Sequence, residues 1–188
     1  MPISWEQNIS ALNQTLRALV VTHQAGGRLE PDEGLSRWTA MAQEIRQKGG
    51  TVFLIGNGAS ASMASHFAAD LAKNAGVRTH VFTDLALITA LANDISYESV
   101  YAEPLRRYMQ TGDMLVAISS SGNSPNIVSG VKAAQNLGGT VVTLSAMQAE
   151  NAIRQMGDLN FYIPAETYGL AETAHAAVLH HWMDALQL

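Results

Sequence analysis

Apolar residues recur every three to four positions at the start of the chain. Ile9, Leu12, Leu16, Leu19 and Val20 fall on one face of a helix predicted over 3–24. Gly26-Gly27 closes that segment. Pro31 opens a second helix over 32–47, which Gly49-Gly50 stops. From Thr51 the pattern changes to short apolar runs alternating with longer helical stretches. The runs predict strands at 51–55, 79–82, 114–119, 140–145 and 159–163. The stretches between and after them predict helices at 59–75, 84–92, 97–110, 125–137, 148–156 and 170–187. Pro104 is expected to kink the 97–110 helix or split it in two. This alternation indicates βαβ units, and near-continuous apolarity suits strands covered on both faces. The fold class expected is α/β, a doubly wound parallel sheet flanked by helices, with an N-terminal helical extension. Nothing resembling a linker or repeat interrupts it, so 1–188 is expected to be a single domain, with packing helices in 1–48 and the α/β core in 51–188.

Composition adjusts this picture in three ways. The 188 residues are 47% hydrophobic and only 14% charged, which points to helix surface buried against other subunits. The formal net charge is -5, and Arg106-Arg107 is the one adjacent basic pair, so no basic face for nucleic acid is expected. With no cysteine, disulfides, thiolate catalysis and Cys-ligated zinc are excluded. The opening MPISWEQNIS lacks the basic and apolar regions of a signal peptide, and no apolar run approaches the ~20 residues that span a bilayer. A cytoplasmic protein without membrane contact is expected.

Two strand-to-helix junctions carry the candidate chemistry. In the first, Gly56-Asn57-Gly58 follows a strand, with Ser60 and Ser62 in the opening turn of the next helix. In the second, Ser119, Ser120, Ser121, Gly122, Asn123 and Ser124 precede a helix that starts at Pro125. Ligands of open α/β sheets bind beyond the carboxyl ends of strands, where helix N-termini offer unpaired N–H groups to anions. For either loop alone, Ser and Asn that merely cap the two helices are the favoured reading. Four serines within six residues, beside a second such loop, favour phosphate. Neither loop has the Gly-Lys-Ser/Thr of a nucleotide phosphate loop, and Ala61 breaks a dinucleotide fingerprint.

Further polar residues share helix faces. His66 and Asp70 are four apart, a half-site for a divalent metal or for acid–base work, or else a solvated face. The last helix carries Glu172, His175, His180 and His181, which read equally as functional or as a surface histidine cluster.

The segments GNGASAS…HFAADL, ISSSGNS, Ala92-Asn93-Asp94 with Tyr97-Glu98, and the C-terminal E-xx-H-xxxx-H together resemble the sugar isomerase (SIS) domain family. The similarity is closest to its phosphoheptose isomerase branch and covers nearly the whole chain. It implies a flavodoxin-like sheet, a homotetramer packed through the N-terminal helices, and conversion of sedoheptulose 7-phosphate through an enediol. It implies no nucleotide or redox cofactor. Asn57, Ser60, Asp94 and Glu172 would line the sugar site, and Ser119, Ser120, Ser121 and Ser124 would hold the phosphate. Asp70 would be the base and His180 the acid. Some relatives bind zinc, which here would fall to His66, Asp70, Glu172 and His180. The chain departs from the family pattern at Asp70 (glutamate in the family), Glu172 (glutamine), Asn74 (a basic residue), Gly169 (aspartate) and Ala59 (glycine). The alternatives are a non-catalytic phosphosugar-binding protein like the replication initiator-associating member of the family, and a different SIS isomerase or lyase.

Overall fold

The computed structural model describes residues 4–24 and 26–187. The five predicted strands of the core form where their β-branched and aliphatic runs lie: β3 (Thr51–Gly56), β4 (Arg78–Val81), β5 (Met114–Ser119), β6 (Thr140–Ala146) and β7 (Leu159–Ile163). They pair in parallel in the order β4-β3-β5-β6-β7. That is the flavodoxin-type order, in which the chain leaves β3 in one direction and later returns on its other side.

Alternation along each strand assigns the two faces. Val52, Leu54, Met114, Val116, Ile118, Val142 and Leu144 pack with α2 (Pro31–Lys48), α3 (Ala59–Ala75) and α7 (Tyr168–Gln187). Phe53, Ile55, Leu115, Ala117 and Val141 face α5 (Ala102–Tyr108) and α6 (Pro125–Asn136). On the first face Trp38 of α2 stacks on Trp182 of α7 with ring centroids 3.9 Å apart, and both are fully buried. This contact joins the N-terminal helices to the last one.

Three expectations need correction. The first helix, α1 (Trp5–Arg17), stops well short of residue 24. Its expected last turn is instead β1 (Val20–His23), because Val20, Val21 and Thr22 are β-branched and Val21 is worth more buried in the sheet. β1 pairs antiparallel with β7 and with β2 (Arg28–Leu29), so the sheet has seven strands and is mostly, not wholly, parallel. The 97–110 stretch is split in two, as Pro104 led us to expect, into a 3-10 turn (Tyr97–Ser99) and α5, with Pro104 in the first turn of α5, where its missing N–H costs nothing. The 148–156 stretch forms only a 3-10 turn (Ala152–Gln155). No helix among the described residues is long and apolar enough to cross a membrane.

The Trp pair gives a stability test. Trp182→Ala should lower unfolding free energy by ~3–5 kcal/mol through lost burial and the cavity left behind. Trp182→Phe should lower it much less, since Trp182 Nε1 is buried without a hydrogen-bond partner among the described residues. Urea denaturation of the two variants measures both.

Candidate functional site

The β3 and β5 ends lie side by side, with Gly56 in register with Ile118. A pocket of about 150 Å³ opens there, lined by Asn57, Ser60, Ser119, Ser120, Ser121 and Ser124, with Tyr168 and Glu172 from α7 closing one side. Gly56 is needed because a side chain there would strike the Ser60 backbone, where the chain doubles back into α3. Gly58 takes φ 54° as the N-cap of α3.

The hydroxyls are not consumed by capping. Gly58 has no side chain to cap α3, and Ser124, the N-cap of α6, makes no side-chain cap bond. Ser124 Oγ instead lies 3.5 Å from Ser119 Oγ. Within the loop Ser119 Oγ accepts the Gly122 N–H at 3.1 Å and Ser121 Oγ accepts the Asn123 N–H at 3.3 Å. Ser119 spends its O–H on Ser124 Oγ, whereas the Ser121 and Ser124 hydroxyls donate to no protein group among the described residues and keep their O–H for an anion. Asn57 is paired with Asn126 of α6 and touched by the Tyr97 hydroxyl at 3.4 Å. Tyr101 donates to the Gly56 carbonyl, and burial pushes its phenol up to about 12, so it stays a donor.

Comparison with known proteins now adds to the geometry. The family described as SIS domain matches residues 13–146. The chain belongs to the SIS domain family. A phosphoheptose isomerase of Shewanella oneidensis is 30% identical over 160 residues, 81% of this chain and 81% of that one. A phosphoheptose isomerase of Thiobacillus denitrificans is 33% identical over 147 residues, 74% of this chain and 75% of the relative. The structure of phosphoheptose isomerase GmhA from Neisseria gonorrhoeae superposes with a TM-score of 0.82 at 25% identity, covering 97% of this chain and 94% of that one.

In this SIS domain the remaining candidates form a second group. His66 Nε2 lies 3.3 Å from Asp70 Oδ2, and the His66 and His180 rings are 5.7 Å apart, with Phe67 beneath His180 at 4.7 Å. His66 and His180 are exposed and Asp70 is partly so. Glu172 does not join them. Eight residues of helix separate it from His180, about 12 Å along the axis, and it lines the serine pocket instead. Among the described residues no three His, Asp or Glu side chains come together to hold a metal ion. The zinc set of His66, Asp70, Glu172 and His180 that the resemblance implied is therefore not assembled within this chain.

Asp94 also falls outside the pocket. It ends α4 (Leu85–Asp94), exposed, and takes a hydrogen bond from the Asn93 amide at 2.8 Å. Its neighbour Tyr97 makes the contact with the pocket. His180 and His181 are both exposed, whereas His175 is fully buried. Burial pushes the His175 imidazole down to about 4, against a weaker opposite pull from the adjacent Ser145 backbone, and neither ring nitrogen makes a well-formed hydrogen bond. Sequence reasoning missed Tyr168 and Asn126. Tyr168 was detectable, since it lies four residues before Glu172 on one helix face. Asn126 was not, because its partner is Asn57, far away in sequence.

Two predictions follow from these positions. Gly122 has φ 64°, and a Cβ there would collide with the Asn151 side chain, whereas Gly58 faces open space. Gly122→Ala should cut phosphosugar affinity by ~10-fold or more by displacing the serine loop. Gly58→Ala meets no neighbour but must take φ 54°, ψ -123°, outside the αL well, and should cost about 1–3 kcal/mol of stability without moving the serine loop. Calorimetric titration and urea melts separate the two effects. For His175, folding keeps the ring neutral down to about 4 while the unfolded chain protonates near 6.5. Its contribution is therefore whole above pH 6.5 and is lost as pH falls towards 4, at up to ~1.4 kcal/mol per pH unit. A His175→Gln variant should show a flatter stability profile over that interval.

Proposed function

We propose that the protein is an aldose–ketose isomerase of sugar phosphates, of the phosphoheptose isomerase type. The observation that carries this is the uncapped serine loop, aimed with Asn57 and Ser60 into one pocket at the β3–β5 switch point. Support comes from relatives named phosphoheptose isomerase that match most of the chain.

The serine hydroxyls and the α6 N-terminus bind the phosphate, and Asn57 with Glu172 holds the sugar. The Asp70 carboxylate removes the proton on the carbon alpha to the open-chain carbonyl. The resulting enediol is reprotonated on the neighbouring carbon, while His180 moves protons between the two oxygens. Only protons move, so the reaction itself calls for no redox or nucleotide cofactor. No step is routed through a metal.

Asp70 lies ten residues along α3 from Ser60, about 15 Å, so one chain holds its pocket and its His66–Asp70–His180 group apart. We infer that the group of one copy faces the pocket of another in a homotetramer, in the cytoplasm. Trp5 and Leu85 are 76% and 74% exposed, and no residue of α4, LALITALAND, is buried. Such apolar surface is what a partner copy covers.

A complementation experiment tests the reaction and the assembly together. Asp70→Asn should lose about 100-fold or more in turnover of sedoheptulose 7-phosphate while still binding it, and Ser121→Ala/Ser124→Ala should lose binding. Co-expressed in equal amounts, the two should regain about a quarter of wild-type activity, from mixed sites pairing one intact pocket with one intact Asp70. No recovery would show that each site lies within one chain. Absence of deuterium uptake at the alpha carbon by wild type in heavy water would remove the isomerase reading.

A further inference from the structure

The two loops of the pocket are tied together by a pair of side-chain amides. Asn57 Nδ2 donates to Asn126 Oδ1 at 2.9 Å, and Asn126 Nδ2 donates back to Asn57 Oδ1 at 2.8 Å. Asn126 is 1% exposed, and its Oδ1 also accepts the Ile127 N–H at 3.0 Å. The Tyr97 hydroxyl lies 3.4 Å from Asn57 Oδ1.

A carboxamide has two N–H donors and two acceptor lone pairs. Both lone pairs of Asn57 are engaged, by Asn126 and Tyr97. One of its N–H groups has no protein partner among the described residues, on a side chain that lines the pocket. Turning the Asn57 amide over would set oxygen against oxygen and N–H against N–H across the pair. Asn126 therefore fixes Asn57 so that it can offer the ligand a donor and not an acceptor.

We propose that Asn126 is a positioning residue of the isomerase: through Asn57 it holds a sugar-facing N–H donor in fixed register with the serine loop that grips the phosphate. The donor would meet a hydroxyl or carbonyl oxygen of the bound sugar phosphate. Asn126 touches no substrate itself. The inference rests on reading the pocket as a phosphosugar site.

Asn126→Asp is the informative variant, because it keeps the shape and changes one donor. Inhibition by inorganic phosphate, which needs the serine loop but not Asn57, is measured beside it and should stay within about twofold of wild type if the new charge itself is not the cause. Ionised, the new carboxylate still accepts from Asn57 Nδ2 and Ile127 N–H but cannot donate to Asn57 Oδ1. Protonated, it supplies both an acceptor and a donor, as the amide did. Burial raises the pKa of such a group, bringing both forms within reach between about pH 6 and about pH 8. With sedoheptulose 7-phosphate and rates expressed per folded protein, kcat/KM relative to wild type should fall about tenfold or more near pH 8 and recover towards pH 6. Asn126→Ser, which cannot span the distance to Asn57, should show the loss at every pH. A role confined to folding would change the yield of folded enzyme without that pH-dependent ratio. Both variants within about twofold of wild type throughout, or an Asn126→Asp deficit equal at both ends of the range, would overturn the inference while leaving the functional reading intact. If wild type neither binds nor turns over a sugar phosphate, that reading fails and the inference fails with it.

Discussion

The pairing of β3 with β5 is the constraint on which the site depends. These strands are neighbours in space although α3, β4, α4 and α5 separate them in the chain. The chain leaves β3 for α3 on one face of the sheet and leaves β5 for α6 on the other. The two strand ends therefore diverge and leave a crevice between them, as at any switch point of an open parallel sheet. The register that aligns Gly56 with Ile118 places Asn57 and Ser119 at the two lips of that crevice. Everything that follows, the facing loops, the amide pair between them and the closure by α7, is set by that one register.

An acidic chain must bind a dianion without help from its overall field. The proposed site relies on short-range devices: the Ser121 and Ser124 hydroxyls, which donate to no protein group among the described residues, a helix N-terminus and a fixed amide. Such groups act within hydrogen-bonding distance and lose their effect beyond it, whereas a lysine cluster would attract any polyanion. This also explains why the pocket can be small: it needs to enclose a phosphate and one end of a sugar, not to neutralise a large anionic surface.

Much of this was legible in the sequence, for reasons that can be named. The parallel core strands are apolar on both faces, so their runs stand out, and α3 was predicted with the bounds it has. The serine loop was legible because its residue types are rare at such density. Residues 20–23 were misread as helix because Val20 falls on the helical face as well as on a strand, and the pairing with β7 that decides the matter lies far along the chain. Asn126 was invisible for the same reason: its importance comes from a partner brought near only by the fold. Glu172 and His180, placed together by the resemblance, lie apart within one chain because they share a helix without sharing a height on it.

That difference in height gives α7 two places to reach. Glu172 reaches the pocket near the start of α7, and His180 reaches His66 two turns later. The helix runs past the serine loop and on to the exposed His66–Asp70 pair, with Trp182 anchoring its far half against Trp38. One rigid element thus fixes the relative positions of an anion-binding pocket and an acid–base group that do not meet within one chain. Rigidity matters for the proposed assembly, in which a second copy would align with both at once. A helix whose buried face packs on the sheet through Ala171, Ala174, His175, Val178 and Leu179 cannot tilt without opening that core. Neutral His175 in that row suits the requirement: it fills the space an aliphatic residue would, at the cost of two buried ring nitrogens without well-formed hydrogen bonds, and a further cost appears when acid forces a charge into the core.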